Sequence, residues 1–96
     1  MNNKNDKKAI ELTDDIELMF ACAVRYALGR RTYMPDVVQR TLTPLLPSFS
    51  KKTLRFILND LKTEEDTPGF FGDEQIDRPG WIKFRGTVQE EYDKRE

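Results

Sequence analysis

Apolar positions recur at helical spacing in four stretches of this chain, separated by polar residues, glycines and prolines. In the first stretch Ile16, Phe20, Ala23, Val24 and Ala27 keep the i, i+4, i+7, i+8, i+11 spacing of a buried stripe. Leu18, Met19 and Cys22 widen the stripe to most of the circumference, which predicts the central helix of the domain. Thr13 or Asp14 can cap its start, and Asp14 with Glu17 has capping-box spacing. Gly29 marks its end, because glycine takes the left-handed conformation that closes a helix at no steric cost. Arg30 and Arg31 then suit the negative end of the dipole.

Pro35 fits the first position of a second helix, whose Val38, Leu42, Leu45 and Leu46 share one face. Pro44 cannot donate to the carbonyl of Arg40, so a kink or a stop near Thr43 is expected. After the turn Pro47-Ser48-Phe49-Ser50, with Ser50 as cap, Leu54, Ile57, Leu58 and Leu61 form a third stripe; Phe56 lies off it. Acids, Pro68 and two glycines predict a loop over 63–72. Asp77-Arg78-Pro79 opens a fourth helix with Trp81, Phe84, Val88 and Tyr92 in register, although Trp81–Phe84 could pair with Gly69–Gly72 as a hairpin instead. The expected fold is all-α: a compact single-domain four-helix bundle over residues 13–96, with an acidic loop before the last helix and a flexible arm at residues 1–12. The first helix should be surrounded by the others, and Trp81 should close one side of the core.

The nine residues from Arg25 to Tyr33 (Arg-Tyr-Ala-Leu-Gly-Arg-Arg-Thr-Tyr), the 50–60 segment with Thr53-Leu54 and the 77–84 segment with its tryptophan resemble a group of small proteins. These are carried by phages, prophages and mobile elements of Gram-positive bacteria, and the similarity runs roughly over residues 13–92. What the resemblance implies is a setting, the bacterial host cytoplasm. Small proteins of such elements often bind a host or rival defence protein, and inhibitors of restriction and CRISPR nucleases are among them.

Composition narrows the chemistry. Cys22 is the only cysteine, so no internal disulfide can form, and an intracellular setting fits; it reads as a small core residue of the first helix. The chain contains no histidine, which removes the commonest general base and metal ligand. No nucleophile meets a base at helical spacing, so a non-enzymatic protein without cofactor or metal is expected. No stretch approaches the roughly 20 apolar residues of a membrane span. Net charge is −1 but uneven: residues 1–63 carry +4, residues 64–77 carry −6 and residues 78–96 carry +1.

Partner binding is therefore expected at two places. One is the acidic run Glu64, Glu65, Asp66, Asp73, Glu74 and Asp77, suited to a basic partner or to imitation of a phosphate backbone. Asp73, Glu74 and Asp77 lack the oxygen-ligand order of a calcium loop. The other is the corner Arg30, Arg31 and Tyr33, able to recognise a carboxylate or phosphate, although dipole compensation explains the same charges. Tyr26 and Tyr33 are expected to pack their rings in the core. Arg25, on an apolar surface, needs a carboxylate, and Asp60 is the expected partner in an interhelical salt bridge. The alternative function is a helix-turn-helix-like DNA-binding regulator using the second and third helices, with Lys51, Lys52 and Arg55 near the recognition position.

Overall fold

The computed structural model describes residues 13–30, 33–72 and 78–95. They form an all-α domain of four helices: α1 (Asp14–Leu28), α2 (Met34–Leu42), α3 (Lys51–Asp66) and α4 (Arg78–Asp93), with a 3-10 segment at Thr43–Ser48. Helix α4 is continuous through Trp81–Phe84, so the hairpin alternative is excluded. Proline chemistry sets the end of α2. Pro44 lacks an amide hydrogen, and the chain tightens into the 3-10 turn one residue before it.

Each helix packs on two others, α1 on α2 and α3, and α4 on α2 and α3, so α1 and α4 stand diagonally across the bundle. The expected central position of α1 is thus corrected: it borders two helices. Its buried side is Glu17, Ala21, Val24, Ala27 and Leu28, while Ile16, Leu18 and Met19 face outward. Cys22 is exposed, contrary to the core position expected of it. The small alanines let α1 lie close to its neighbours, and Ile16, Leu18 and Met19 are left outside. The rest of the core follows the sequence pattern: Val38, Leu42, Leu46, Leu54, Ile57, Leu58, Leu61, Phe84 and Val88 are buried. Trp81 is 3% exposed and meets the Phe84 ring edge-on at 5.8 Å.

Two polar clamps fasten the elements. Glu17 does not complete a capping box; Thr13 caps α1 alone through the Ile16 amide. The Glu17 side chain reaches across to α3, accepting the Ser50 amide at 3.1 Å, the Ser50 hydroxyl at 2.9 Å and the Thr53 hydroxyl. Burial works to raise the Glu17 carboxyl, but the bond from Thr53, those from Ser50 and the charge of Arg95 outweigh it and hold the pKa below its ordinary value. At the other end of the chain Arg95 donates to the carbonyls of Leu46, Pro47 and Phe49 where the 3-10 segment ends; the Leu46 carbonyl also accepts the Phe49 amide at 3.1 Å. Both clamps converge on the chain between α2 and α3. Among the described residues no helix is long and apolar enough to cross a membrane.

Candidate functional site

The most exposed aromatic side chains, Tyr33, Phe70 and Tyr26, lie near the C-terminal end of α1, where the α1–α2 corner meets the loop after α3. A close backbone crossing builds this end. Gly29 is buried beside Phe71 and Gly72: a Cβ at position 29 would lie 2.8 Å from the Phe71 carbonyl carbon and 3.1 Å from the Gly72 Cα. Gly29 itself has φ −104°, so the left-handed cap expected of it is not formed. Glycine is required here for proximity to a second backbone segment. Left-handed geometry belongs instead to Gly69, at φ +88° in the loop.

The loop is held from inside by Glu64. This residue is completely buried, and its side-chain oxygens accept the Gly69 amide at 2.7 Å and the Phe71 amide at 3.4 Å. The sequence assigned Glu64, Glu65 and Asp66 to an acidic loop available to a partner. All three belong instead to the last turn of α3. Glu64 is corrected to a loop clamp that no partner can reach. Glu65 is half-buried and pairs with Arg85 of α4 at 3.2 Å. Asp66 alone of the three is exposed. Three acids at a helix C-terminus oppose the dipole, and the loop amides and Arg85 supply the compensation for two of them. Asp73, Glu74 and Asp77, and Arg31 of the corner, lie outside the described residues.

Behind the loop, Arg25 forms a two-pronged bridge to Asp60, with Nε and Nη2 each 3.0 Å from a carboxylate oxygen. The Asp60 side chain is nearly buried, whereas half of the Arg25 side chain meets solvent. The guanidinium also lies over Phe56 at 5.1 Å and Phe71 at 5.5 Å, which accounts for Phe56 sitting off the α3 stripe. The bond from Asp60 and its charge raise the pKa of Arg25 above the ordinary arginine value. The salt bridge, the loop aromatic, the Glu64 clamp and the Gly29 crossing thus meet at Phe71. They make the end of α1 a braced platform.

On that platform the Arg30 guanidinium lies 3.8 Å from the centre of the Tyr26 ring. Tyr26 is 53% exposed and Tyr33 75% exposed, so neither ring packs in the core as expected. Arg30 Nε is buried beneath the stack without a hydrogen-bond partner. From the loop Phe70 adds a ring 60% exposed, braced edge-on against Phe71 at 5.0 Å. Of the residues expected at a partner surface, Arg30 stacks on Tyr26 and Tyr33 is exposed at the start of α2. Tyr26 and Phe70 were missed, and the available signal was their place beside arginines and glycines at element ends rather than within a stripe.

Elsewhere, the N-terminal turn of α3 is already engaged: Ser50 and Thr53 bind Glu17, and the Lys51 ammonium lies over Tyr92 at 5.0 Å. A hollow between α2 and α4 is lined by Gln39, Thr43, Lys83 and Thr87 together with an Asp36–Arg40 pair at 3.1 Å. Among the described residues no three Asp, Glu or Cys side chains gather closely enough to hold a metal ion. Comparison of the chain with family models, curated proteins and solved structures finds no match.

Proposed function

We propose that this protein acts without catalysis, by docking onto another protein through the corner formed by Arg30, Tyr33 and Phe70, as expected for a small accessory protein of a phage or mobile element. The observation that carries the reading is the exposure of large aromatic side chains on a rigidly braced corner. Tyr, Phe and Arg are enriched at protein interfaces: the aromatics bury much area at low entropic cost, and Arg adds charge-assisted hydrogen bonds. The Gly29 crossing and the Glu64 clamp hold the backbone beside Arg30 and Phe70 before any partner arrives, which favours affinity.

The test is capture of partners from a bacterial host by the tagged full chain, compared with a Tyr33→Ala/Phe70→Ala double variant. Both positions are exposed, so the variant keeps its fold by circular dichroism. A partner retained by the parent and lost by the variant supports the reading; identical captured proteins from both refute it. Inhibition of a defence nuclease is one form such docking takes, and nuclease assays on the captured partner address it. DNA binding by α2 and α3 is less well supported. The stretch 43–50 separates those helices, and α2 packs on α1 and α4 instead of α3, unlike the tight pair of a helix-turn-helix.

A further inference from the structure

Helix α1 has a second exposed surface, which runs along its outer side and meets the docking corner only at Tyr26 and Arg30. Its buried positions, Glu17, Ala21, Val24, Ala27 and Leu28, fix the inward side. At 3.6 residues per turn, the residues opposite are Asp15, Met19, Cys22 and Tyr26, all exposed. Their 4-3-4 spacing is that of a coiled-coil seam. Met19 is 62% exposed, and Leu18 on the flank is 51% exposed. Three apolar residues in seam register, each facing solvent, form an apolar stripe running up the outside of the helix.

We propose that this stripe is the interface of a homodimer, in which α1 packs antiparallel against α1 of a second copy about a two-fold axis beside Cys22. Charge complementarity selects this occupant. Asp15 stands at the N-terminal end of the face and Arg30 just past its C-terminal end. Antiparallel pairing sets Asp15 against Arg30 of the second copy and Met19 against its Tyr26. A parallel pair would bring Asp15 against Asp15 and Arg30 against Arg30. The face is thus complementary to itself in one orientation only, as a closed two-fold interface requires. The antiparallel order also opposes the two helix dipoles.

The centre of the face is small. Cys22 and Ala23 allow the axes to approach, and helix pairs pack at about 8–10 Å between axes. With Cα atoms on a radius of about 2.3 Å, facing Cα atoms then come within about 3.5–5.5 Å. This overlaps the roughly 4.4–6.8 Å that a disulfide spans. Cys22 therefore reports on the geometry: the two thiols should join readily when diamide accepts their hydrogens.

Sedimentation equilibrium of the full chain over a micromolar concentration series should give the dimer mass, and diamide should trap a covalent dimer absent from Cys22→Ser. Met19→Glu puts a charge at the seam without touching the core. It should weaken the dimer at least tenfold and slow trapping correspondingly, with an unchanged circular dichroism spectrum. Asp15→Lys should weaken the dimer about two- to fivefold, the range of an exposed ion pair, and Arg30→Glu in the same chain should restore it. A monomer mass throughout, a dimer indifferent to Met19→Glu, or failure of the double exchange to restore association overturns the proposal. Met19 and Cys22 lie outside the docking corner, so Met19→Glu and the Cys22 trapping, unlike Arg30→Glu, distinguish loss of the dimer from loss of a captured partner.

Discussion

Replacing Gly29 by alanine tests whether this glycine serves conformation or proximity. Its φ of −104° is open to any residue, so a purely conformational account expects little effect or a small gain. The crossing predicts the opposite. A new Cβ would lie 2.8 Å from the Phe71 carbonyl carbon, where ordinary contact begins at 3.4 Å, and nearer still to its oxygen. These are backbone atoms, so the loop itself must retreat by more than half an ångström. Overpacking of this kind costs about 1–3 kcal/mol. The retreat also pulls the Gly69 and Phe71 amides away from the buried Glu64, and weakening such bonds costs about 1–2 kcal/mol more. A loss of about 2–5 kcal/mol lowers Tm by about 10–40 °C in a domain of this size. Gly86 supplies the control, because a Cβ there meets nothing within 4 Å and the site lies inside α4. Gly86→Ala should raise stability by about 0.5–1 kcal/mol from helix propensity alone. Thermal and urea unfolding followed by circular dichroism read both variants. Gly29→Asn separates the causes further: asparagine tolerates the left-handed conformation but adds bulk, so it should be no better than alanine. A Gly29→Ala protein as stable as the parent refutes the argument.

Three further outcomes follow from the polar and aromatic contacts. Arg25→Ala should destabilise more than Asp60→Ala, by about 2–3 against about 1 kcal/mol in urea unfolding, because the first strands a nearly buried carboxylate and the second leaves an arginine already half in water. Equal losses would mean that the pair, not the burial, sets the cost. Because the folded protein holds the Glu17 carboxyl below its ordinary 4.5, its contribution is complete above that value and is lost as pH falls through the lower folded value. Glu17→Gln should therefore cost about 1–2 kcal/mol at neutral pH and progressively less in acid, a convergence that melting curves across pH 3–7 would detect. Trp81→Ala should cost about 3–5 kcal/mol, and Trp81→Phe distinctly less, since the indole N–H is buried without a hydrogen-bond partner.

The helices were legible because each carries a local signal: a cap at Thr13 or Ser50, a proline at the first turn of α2, and a stripe at regular spacing. The Arg25–Asp60 bridge was legible for a related reason, as two charges on faces that the stripes already directed toward each other. Glu64 was not. Its role depends on loop amides five and seven residues later turning back over the helix end, and nothing in the acidic run distinguishes a clamp from a solvated charge. Gly29 was located correctly but explained wrongly, because a contact with residues 71 and 72 leaves no trace in the spacing around position 29. Helix α1 was misread most. An overfull apolar stripe says that a helix has much to bury but not which arc the fold buries, and here the arc of Ala21, Val24, Ala27 and Leu28 went inward while Leu18 and Met19 stayed out.

That choice links packing to function. A core of 96 residues has limited room, and a helix entering it with Ala21 and Ala27 inward can approach its neighbours more closely than one entering with Leu18 and Met19. The consequence is that apolar area which a larger core would absorb is displaced onto the outer face of α1 and onto the corner at its end. Burial of that area by another molecule would be favourable by about 25 cal/mol for each Å² removed from water, before the costs of association. Scattered exposed hydrophobes carry no such meaning. Met19, Cys22 and Tyr26 are not scattered, since they repeat in register on one side of one helix, with Asp15 before them and Arg30 beyond. Self-association is what the proposed dimer assigns to this surface, and reversing the two charges is the change that should alter its partner without altering its fold.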